Sequence, residues 1–278
     1  MIENSRLAMA RSFLFVPGNR PERFLKAMDS GADAIVIDLE DSVPLHCKDA
    51  ARTHVCQALP AMPASACVVV RINSGESALG LEDVQALAGC SQLSGVMVPK
   101  CDSEHGLLSV HRMLTQMPLL PIIESAAGYL ALPLIARAPK VSRLVLGHLD
   151  FMTDIGMECA PDQRELDTLR FQIAMCTRAA NLNSAVDGVT VSVNDQAILR
   201  ADTERAVRFG MGGKLCIHPR QIQGVHQAFR PPAAELDWAQ RVLAAMAASG
   251  GSATQLDGRM IDAPVLMQAQ RTLARVRP

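Results

Sequence analysis

The chain has no run of about five or more like charges, no C-x-x-C pair and no apolar stretch near the roughly 18 residues that a membrane-spanning helix needs. Each absence removes a class of function. Lysine and arginine total 27 against 28 acidic residues, a formal net charge of −1, so the composition supports neither a nucleic-acid footprint nor a basic membrane-surface patch. The eight cysteines, Cys47, Cys56, Cys67, Cys90, Cys101, Cys159, Cys176 and Cys216, lack the spacing of a zinc site. Reduced, mostly structural thiols in a reducing compartment are the expectation. The opening MIENSRLAMARSF carries Glu3, and Arg11 interrupts its apolar stretch. It does not read as a signal or transit peptide, so the cytoplasm is the expected location. The partners left are small molecules and further copies of the chain.

Hydrophobic residues make up 49% of the 278 residues and charged residues 20%, the balance of a folded globular protein. The length suits one barrel-sized domain with an appendage, or two small domains. Short apolar runs recur between Gly, Pro, Asp and Asn: SFLFVPG from Ser12, AIVIDLED from Ala34, CVVVRIN from Cys67, GVMVPK from Gly95, LPIIES from Leu120, RLVLGHLD from Arg143, AVDGV from Ala185 and KLCIHP from Lys214. Their Val, Ile and Leu cores show no polar alternation, as in parallel strands buried on both faces. Helical stretches fill the gaps, among them PERFLKAMDSG, KDAARTHVCQAL, SEHGLLSVHRMLTQM, GYLALPLIARA, QRELDTLRFQIAMCTRAA and DTERAVRFGMGG, with Ser103 and Asp202 as cap candidates. Eight strand–helix units predict an α/β fold, a (β/α)₈ TIM barrel. An open doubly wound sheet is the competitor, although no G-x-G-x-x-G turn follows the first run. Beyond His218 come a last barrel helix, a helix opened by two prolines, a small flexible stretch SGGSATQLDG, and a helix over RMIDAPVLMQAQRTLARV. The expected division is a barrel over residues 1–230 and a C-terminal helical extension over 231–278. That extension reads as a lid or subunit-exchange arm, or more plainly as a linker before a packing helix.

In a barrel of this kind the site forms at the C-terminal strand ends. Reading those ends gives Glu40 and Asp41, Arg71 with Asn73, Lys100, Glu124, Asp150, Asp187 and His218. Glu124 and Asp150 close neighbouring strands, and two carboxylates without a His or Cys cluster suit Mg²⁺ rather than Zn²⁺. The plainer reading pairs them with Arg71 or Lys100. Arg71 has the planar fork that fits a substrate carboxylate or an enolate oxygen, and as a structural residue it would neutralise Glu40. His148 and Cys216 read as packing residues, and His218 as a structural histidine ahead of a general base. Arg20, Arg23 and Lys26 follow the first strand where a helix start can cradle phosphate, or are simply solvated.

RSFLFVPGNRPERFLKA, ADAIVIDLEDSVP with Lys48 and Arg52 behind it, VVVRIN, GVMVPK, PIIESAAG, LVLGHLDFMTDIG, GGKLCIHPRQI and DGRMIDAPV, in this order along nearly the whole chain, resemble the citrate lyase β-subunit-like family of the aldolase/citrate lyase superfamily. The resemblance implies a barrel holding Mg²⁺ on Glu124 and Asp150. It implies a catalytic Arg71 against the keto acid or acyl group with Glu40 beside it, and Asp262 as an acid/base brought by a neighbouring subunit. Coenzyme A would cross the mouth with Arg20 and Lys26 near its phosphates, in a homotrimer or hexamer. The implied activity is reversible cleavage of a 3-hydroxyacyl-CoA (citramalyl-CoA, malyl-CoA or citryl-CoA) into acetyl-CoA and a 2-keto acid. A malate-synthase-like condensation with thioester hydrolysis, a non-catalytic CoA-binding subunit, and a metal-dependent aldolase for free hydroxy-keto acids are the alternatives. Two positions depart from the family pattern: Met211, where phenylalanine is frequent, and His148–Leu149 beside the metal position.

Overall fold

Each of the eight apolar runs contributes one strand to a closed parallel barrel in the computed structural model, which describes residues 3–276. The strands are β1 (Ser12–Pro17), β2 (Ala34–Asp38), β3 (Val68–Arg71), β4 (Gly95–Val98), β5 (Leu119–Ile123), β6 (Val145–Leu146), β7 (Val186–Asp187) and β8 (Gly213–Cys216). Each pairs with the next in sequence, and β8 closes onto β1. The helices are α1 (Glu3–Met9), α2 (Phe24–Met28), α3 (Lys48–Ala58), α4 (Ala78–Leu87), α5 (Glu104–Met113), α6 (Ala126–Ile135), α7 (His148–Ile155), α8 (Asp167–Ala179), α9 (Gln196–Arg208) and α10 (Ile222–Phe229). The open-sheet competitor is thereby excluded. Among the described residues no helix is long and apolar enough to cross a membrane.

Side chains two apart share a face of a strand, which fills the barrel in layers. Phe13, Val36, Val69, Met97, Ile122, Val145, Val186 and Leu215 are all buried in one cluster. Fully buried Arg143 closes the N-terminal end, donating to the carbonyls of Leu7, Ala10 and Ser184. Its guanidinium carbon lies 5.1 Å from the Phe13 ring centroid. A cation at this depth is tolerable because three backbone oxygens, two near the end of α1 and one at Ser184, receive its N–H groups.

Several local expectations change. Ser103 does cap α5, accepting the His105 amide at 3.2 Å. Asp202 caps nothing: α9 starts earlier, where Asp195 accepts the amides of Ala197 and Ile198, and Asp202 is buried against Thr190. Neither α1 nor α4 was anticipated; α4 is capped by Ser77, which accepts from Gly80.

The chain divides into two compact units, one ending at Val225 and one beginning at His226; the outermost residues of the expected spans, 1–2 and 277–278, lie outside the described ones. The second unit contains α11 (Ala233–Ala248), β9 (Thr254–Leu256), β10 (Arg259–Ile261) and α12 (Ala263–Ala274), around a core of Ala239, Val242, Met246, Ile261 and Ala269. The second half of the stretch expected to be flexible is thus the first strand and turn of a β-hairpin, and Arg259–Ile261, expected as helix, is its second strand. Its Asp257–Gly258 turn has φ of 52° and 75°, the left-handed pair that a tight two-residue hairpin requires.

Candidate active site

The two-residue period carries the inward columns from apolar to charged: Val36 then Asp38 on β2, Val69 then Arg71 on β3, Ile122 then Glu124 after β5. Parallel register sets Asp38 beside Arg71. The guanidinium forks onto that carboxylate with Nε–Oδ1 at 2.6 Å and Nη2–Oδ2 at 2.7 Å. Its face lies 4.7 Å from the Phe15 ring centroid, and its Nη1 is 3.2 Å from Glu40 Oε2. Burial alone would lift the Asp38 pKa, but the Arg71 fork outweighs it and holds the carboxyl below its ordinary range.

Glu40 was expected at the end of strand two. The strand stops at Asp38, so Glu40 sits in the loop beyond, buried, against Arg71 and the Lys100 ammonium. Burial pushes its carboxyl above the ordinary range, against the pull of both cations. Lys48 holds this loop from behind, donating to the carbonyls of Leu39 and Glu40 and to Asn73 Oδ1. Lys100 has a left-handed φ of 49°, uncommon for a residue with a side chain and frequent at functional sites. That turn sends its ammonium to Glu40 and Asp41 and its amide to Glu124 Oε1 at 2.5 Å.

Glu124 is 5% exposed, and burial pushes its carboxyl up to about 8. The Lys100 amide works against that rise, while Glu40 and Asp150 add to it. Gly147 makes the room: a Cβ there would stand 2.6 Å from both Cβ and Oε2 of Glu124. Asp150 was expected at the end of strand six. It lies instead in the first turn of α7, because β6 ends at Leu146; an acid suits that end of a helix. Arg71, Glu124 and Asp150 line one cavity of about 360 Å³, together with Asp38, Asp41, Phe15, Ile122 and His148.

The remaining expected residues are distributed differently. A second cavity of about 680 Å³ shares Phe15, Ser42 and Ile217 with the first, and Arg23 and Lys26 line it. Arg20 is exposed and bound to Glu22 at 2.7 Å. Asp187 does not join the mouth; it is fully buried between Arg170 at 3.2 Å and Lys214 at 3.8 Å. His148 is a buried part of the cavity wall, where burial lowers its pKa to about 4 and keeps the ring neutral. His218 takes the structural role, accepting the Arg220 amide at 3.1 Å in a capping box with Gln221. Asp262 belongs to the C-terminal unit, where it caps α12 and accepts the Val265 amide at 3.3 Å.

The donor set at Glu124 and Asp150 fits a hard divalent cation. The nearby cations are already engaged, Arg71 with Asp38 and Glu40, Lys100 with Glu40 and Asp41. Among the described residues no group of three or more His, Cys, Asp or Glu could hold a metal ion. An ion here would complete its shell with water or ligand oxygens, as Mg²⁺ commonly does.

Sequence reasoning missed Asp38, the ring of Phe15 under Arg71, and the need for glycine at 147. Asp38 had a signal: it stands two residues from Val36 and so shares the inward face.

A closed (β/α)₈ barrel with an ionisable cavity at its C-terminal strand ends is the class that fold and site define. Residues 11–219 match the HpcH/HpaI aldolase/citrate lyase family, and the chain belongs to it. It is 36% identical to a citrate lyase subunit beta-like protein of Deinococcus radiodurans, over 98% of this chain and 99% of that one. It is 31% identical to a (3S)-malyl-CoA thioesterase of Cereibacter sphaeroides, over 95% and 94% of the two chains. Among solved structures, CitE of Mycobacterium tuberculosis in complex with magnesium, acetoacetate and coenzyme A superposes with a TM-score of 0.86 at 32% identity, covering 96% of this chain and 98% of that one.

Proposed function

We propose that this protein is a Mg²⁺-dependent carbon–carbon lyase that cleaves a 3-hydroxyacyl-CoA reversibly into acetyl-CoA and a 2-keto acid. The observation that carries the reading is the cavity shared by Arg71, Glu124 and Asp150, next to a larger one edged by Arg23 and Lys26. The magnesium, acetoacetate and coenzyme A held by CitE of M. tuberculosis support the same assignment of ligand classes.

In this reading Glu124 and Asp150 hold Mg²⁺, which when bound supplies Lewis-acid polarisation of the substrate's hydroxyl and carboxylate oxygens. Arg71, fixed by Asp38 and Phe15, directs its remaining N–H groups at the charge that develops as the carbon–carbon bond breaks. Phe15, Ile122 and Leu215 form an apolar wall that limits water around the departing enolate. The substrate hydroxyl gives up its proton to water as the carbon–carbon bond breaks. Asp262, supplied in its protonated form by the C-terminal unit of a neighbouring copy in a homotrimer or hexamer, protonates the methylene carbon of the enolate. In the condensing direction it removes a proton from the acetyl methyl, and water returns one to the new hydroxyl. Lys26 and Arg23 take the CoA phosphates, with Arg20 at the outer edge. Glu40 keeps Lys100 and Arg71 in place.

The test is to incubate the protein with acetyl-CoA and Mg²⁺ plus pyruvate, glyoxylate or oxaloacetate, following CoA species by mass. A Mg²⁺-dependent acyl-CoA adduct with one keto acid is expected. Free CoA with a free hydroxy acid would instead assign the thioester-hydrolysing reading, which the malyl-CoA thioesterase relative keeps in view. No new species with any acceptor would reject the acetyl-CoA reading.

A further inference from the structure

Two thiols remote from the mouth meet at one backbone oxygen. Cys56 is on α3 and Cys90 lies just past the end of α4. Cys56 Sγ donates to the Ala86 carbonyl at 3.6 Å, and Cys90 Sγ donates to the same oxygen at 3.4 Å. The two thiols are electrostatic neighbours as well, Cys56 being among the groups that raise the Cys90 pKa. Both residues are partly exposed, whereas Cys67, Cys101, Cys176 and Cys216 are buried. No other two cysteines share a hydrogen-bond partner among the described residues.

The arrangement has a local cause. Ala86 lies in the last turn of α4, where carbonyls run out of helical donors. The Cys90 amide, which would continue the helical pattern to Ala86, bonds to Leu87 instead. The two thiols therefore compete for the oxygen it leaves. Arg52, one helical turn before Cys56 on the same face of α3, spans the same α3–α4 seam to Glu82 and Asp83, each at 2.9 Å.

We propose that Cys56 and Cys90 form a dithiol modification site that a hydroperoxide converts to a disulfide, tying α3 to the end of α4. The Cys56 sulfur attacks the peroxide O–O bond, giving a sulfenic acid and releasing one oxygen as water or alcohol. The Cys90 sulfur then displaces the sulfenic oxygen, which departs as water with the Cys90 proton. Two thiols are oxidised by two electrons and the peroxide is reduced by two. Burial and the contact with Cys56 push the Cys90 thiol up to about 12, so Cys90 keeps its proton until it resolves the sulfenic acid. A metal site is a poorer match, because among the described residues no third His, Cys, Asp or Glu joins the two sulfurs.

The test treats the purified full chain with a small excess of hydrogen peroxide, alkylates the remaining thiols under denaturing conditions and maps the peptides by mass. A Cys56–Cys90 cross-linked peptide, lighter by two hydrogens and opened by dithiothreitol, should be the first disulfide to form. Cys56→Ser and Cys90→Ser should each lose it completely, and Cys90→Ser should accumulate a Cys56 sulfenic acid that dimedone traps. Alkylated Cys56 and Cys90 in protein whose other cysteines are already oxidised would overturn the proposal, as would a link found only between chains. Because the wild-type map decides the matter, a variant that fails to fold does not.

Discussion

On the β2–β4 side of the mouth every buried carboxylate has a cation against it: Asp38 has Arg71, and Glu40 has Arg71 and Lys100. On the β5–β6 side Glu124 is as deeply buried and receives one amide, from Lys100. The difference appears in their acidities. Asp38 is held below its ordinary range, while Glu124 is pushed up to about 8. One side is electrostatically complete in the polypeptide. The other becomes complete only with a positive charge from outside, which is how a chain built around a cation it does not itself supply should look.

Asp38→Asn attacks the complete side and should have the largest effect. It leaves the Arg71 guanidinium buried with a weakened partner, at a cost of about 3–5 kcal/mol by urea denaturation. A change below 1 kcal/mol (about the worth of an exposed pair) would show that the fork contributes little. Arg71→Ala, assayed well below its melting temperature, should lose about 3–4 kcal/mol of transition-state stabilisation, seen as a fall of roughly 10²–10³-fold in kcat. Retained turnover would remove Arg71 from the chemistry. Gly147→Ala probes the incomplete side, driving a methyl into Glu124; about 1–3 kcal/mol of stability should go, and the Mg²⁺ titration midpoint should rise. An unchanged midpoint would mean that Glu124 does not need its place against β6.

The pH series is the most discriminating. Glu124 has a folded pKa near 8, above the ordinary 4.5, so its contribution to metal-free stability is full below 4.5 and is lost as pH rises toward 8. Asp38 has a folded value below 3.8, so its contribution holds above 3.8 and fades as pH falls further. Asp38 and Glu124 should therefore give opposite slopes in a melting-temperature series, with Glu40, whose carboxyl is also raised, adding to the Glu124 slope. Glu124→Gln should flatten part of the upper slope, with Glu40 retaining the rest, and stabilise the metal-free protein at pH values above that of the Glu124 carboxyl. Saturating Mg²⁺ should reverse the upper slope in wild type and leave it unchanged in Glu124→Gln. Identical behaviour of the two proteins with and without Mg²⁺ would falsify the contrast.

Much of this was legible in the residues. Eight Val/Ile/Leu runs in order announced the barrel, because strands buried on both faces cannot alternate. The charged residues that close those runs include Arg71, Glu124 and Asp150, and these three do line one cavity. The same procedure misplaced Asp187, since the end of an apolar run does not say whether the next side chain meets solvent or an ion pair with Arg170. It also put Asp150 at a strand end, because β6 is two residues long and the apolar pattern runs straight into α7. Of the hairpin at Thr254–Ile261, the first strand and the Asp-Gly turn were read as flexible and Arg259–Ile261 as the start of the helix; strands of three residues are too short for periodicity to register.

The amino-acid order by itself determined the strand count, the parallel arrangement and the charged and apolar stations at the strand ends, because these depend on local periodicity and on where runs stop. Only the tertiary structure decided which charges are satisfied. Register set Asp38 against Arg71, a left-handed turn at Lys100 sent one residue to both sides of the mouth, and Gly147 let Glu124 sink to a place where, among the described residues, it forms no ion pair. Pairing depends on distances of a few ångströms between residues far apart in sequence, and in a low-dielectric interior those distances decide whether a carboxylate is a strut or a ligand.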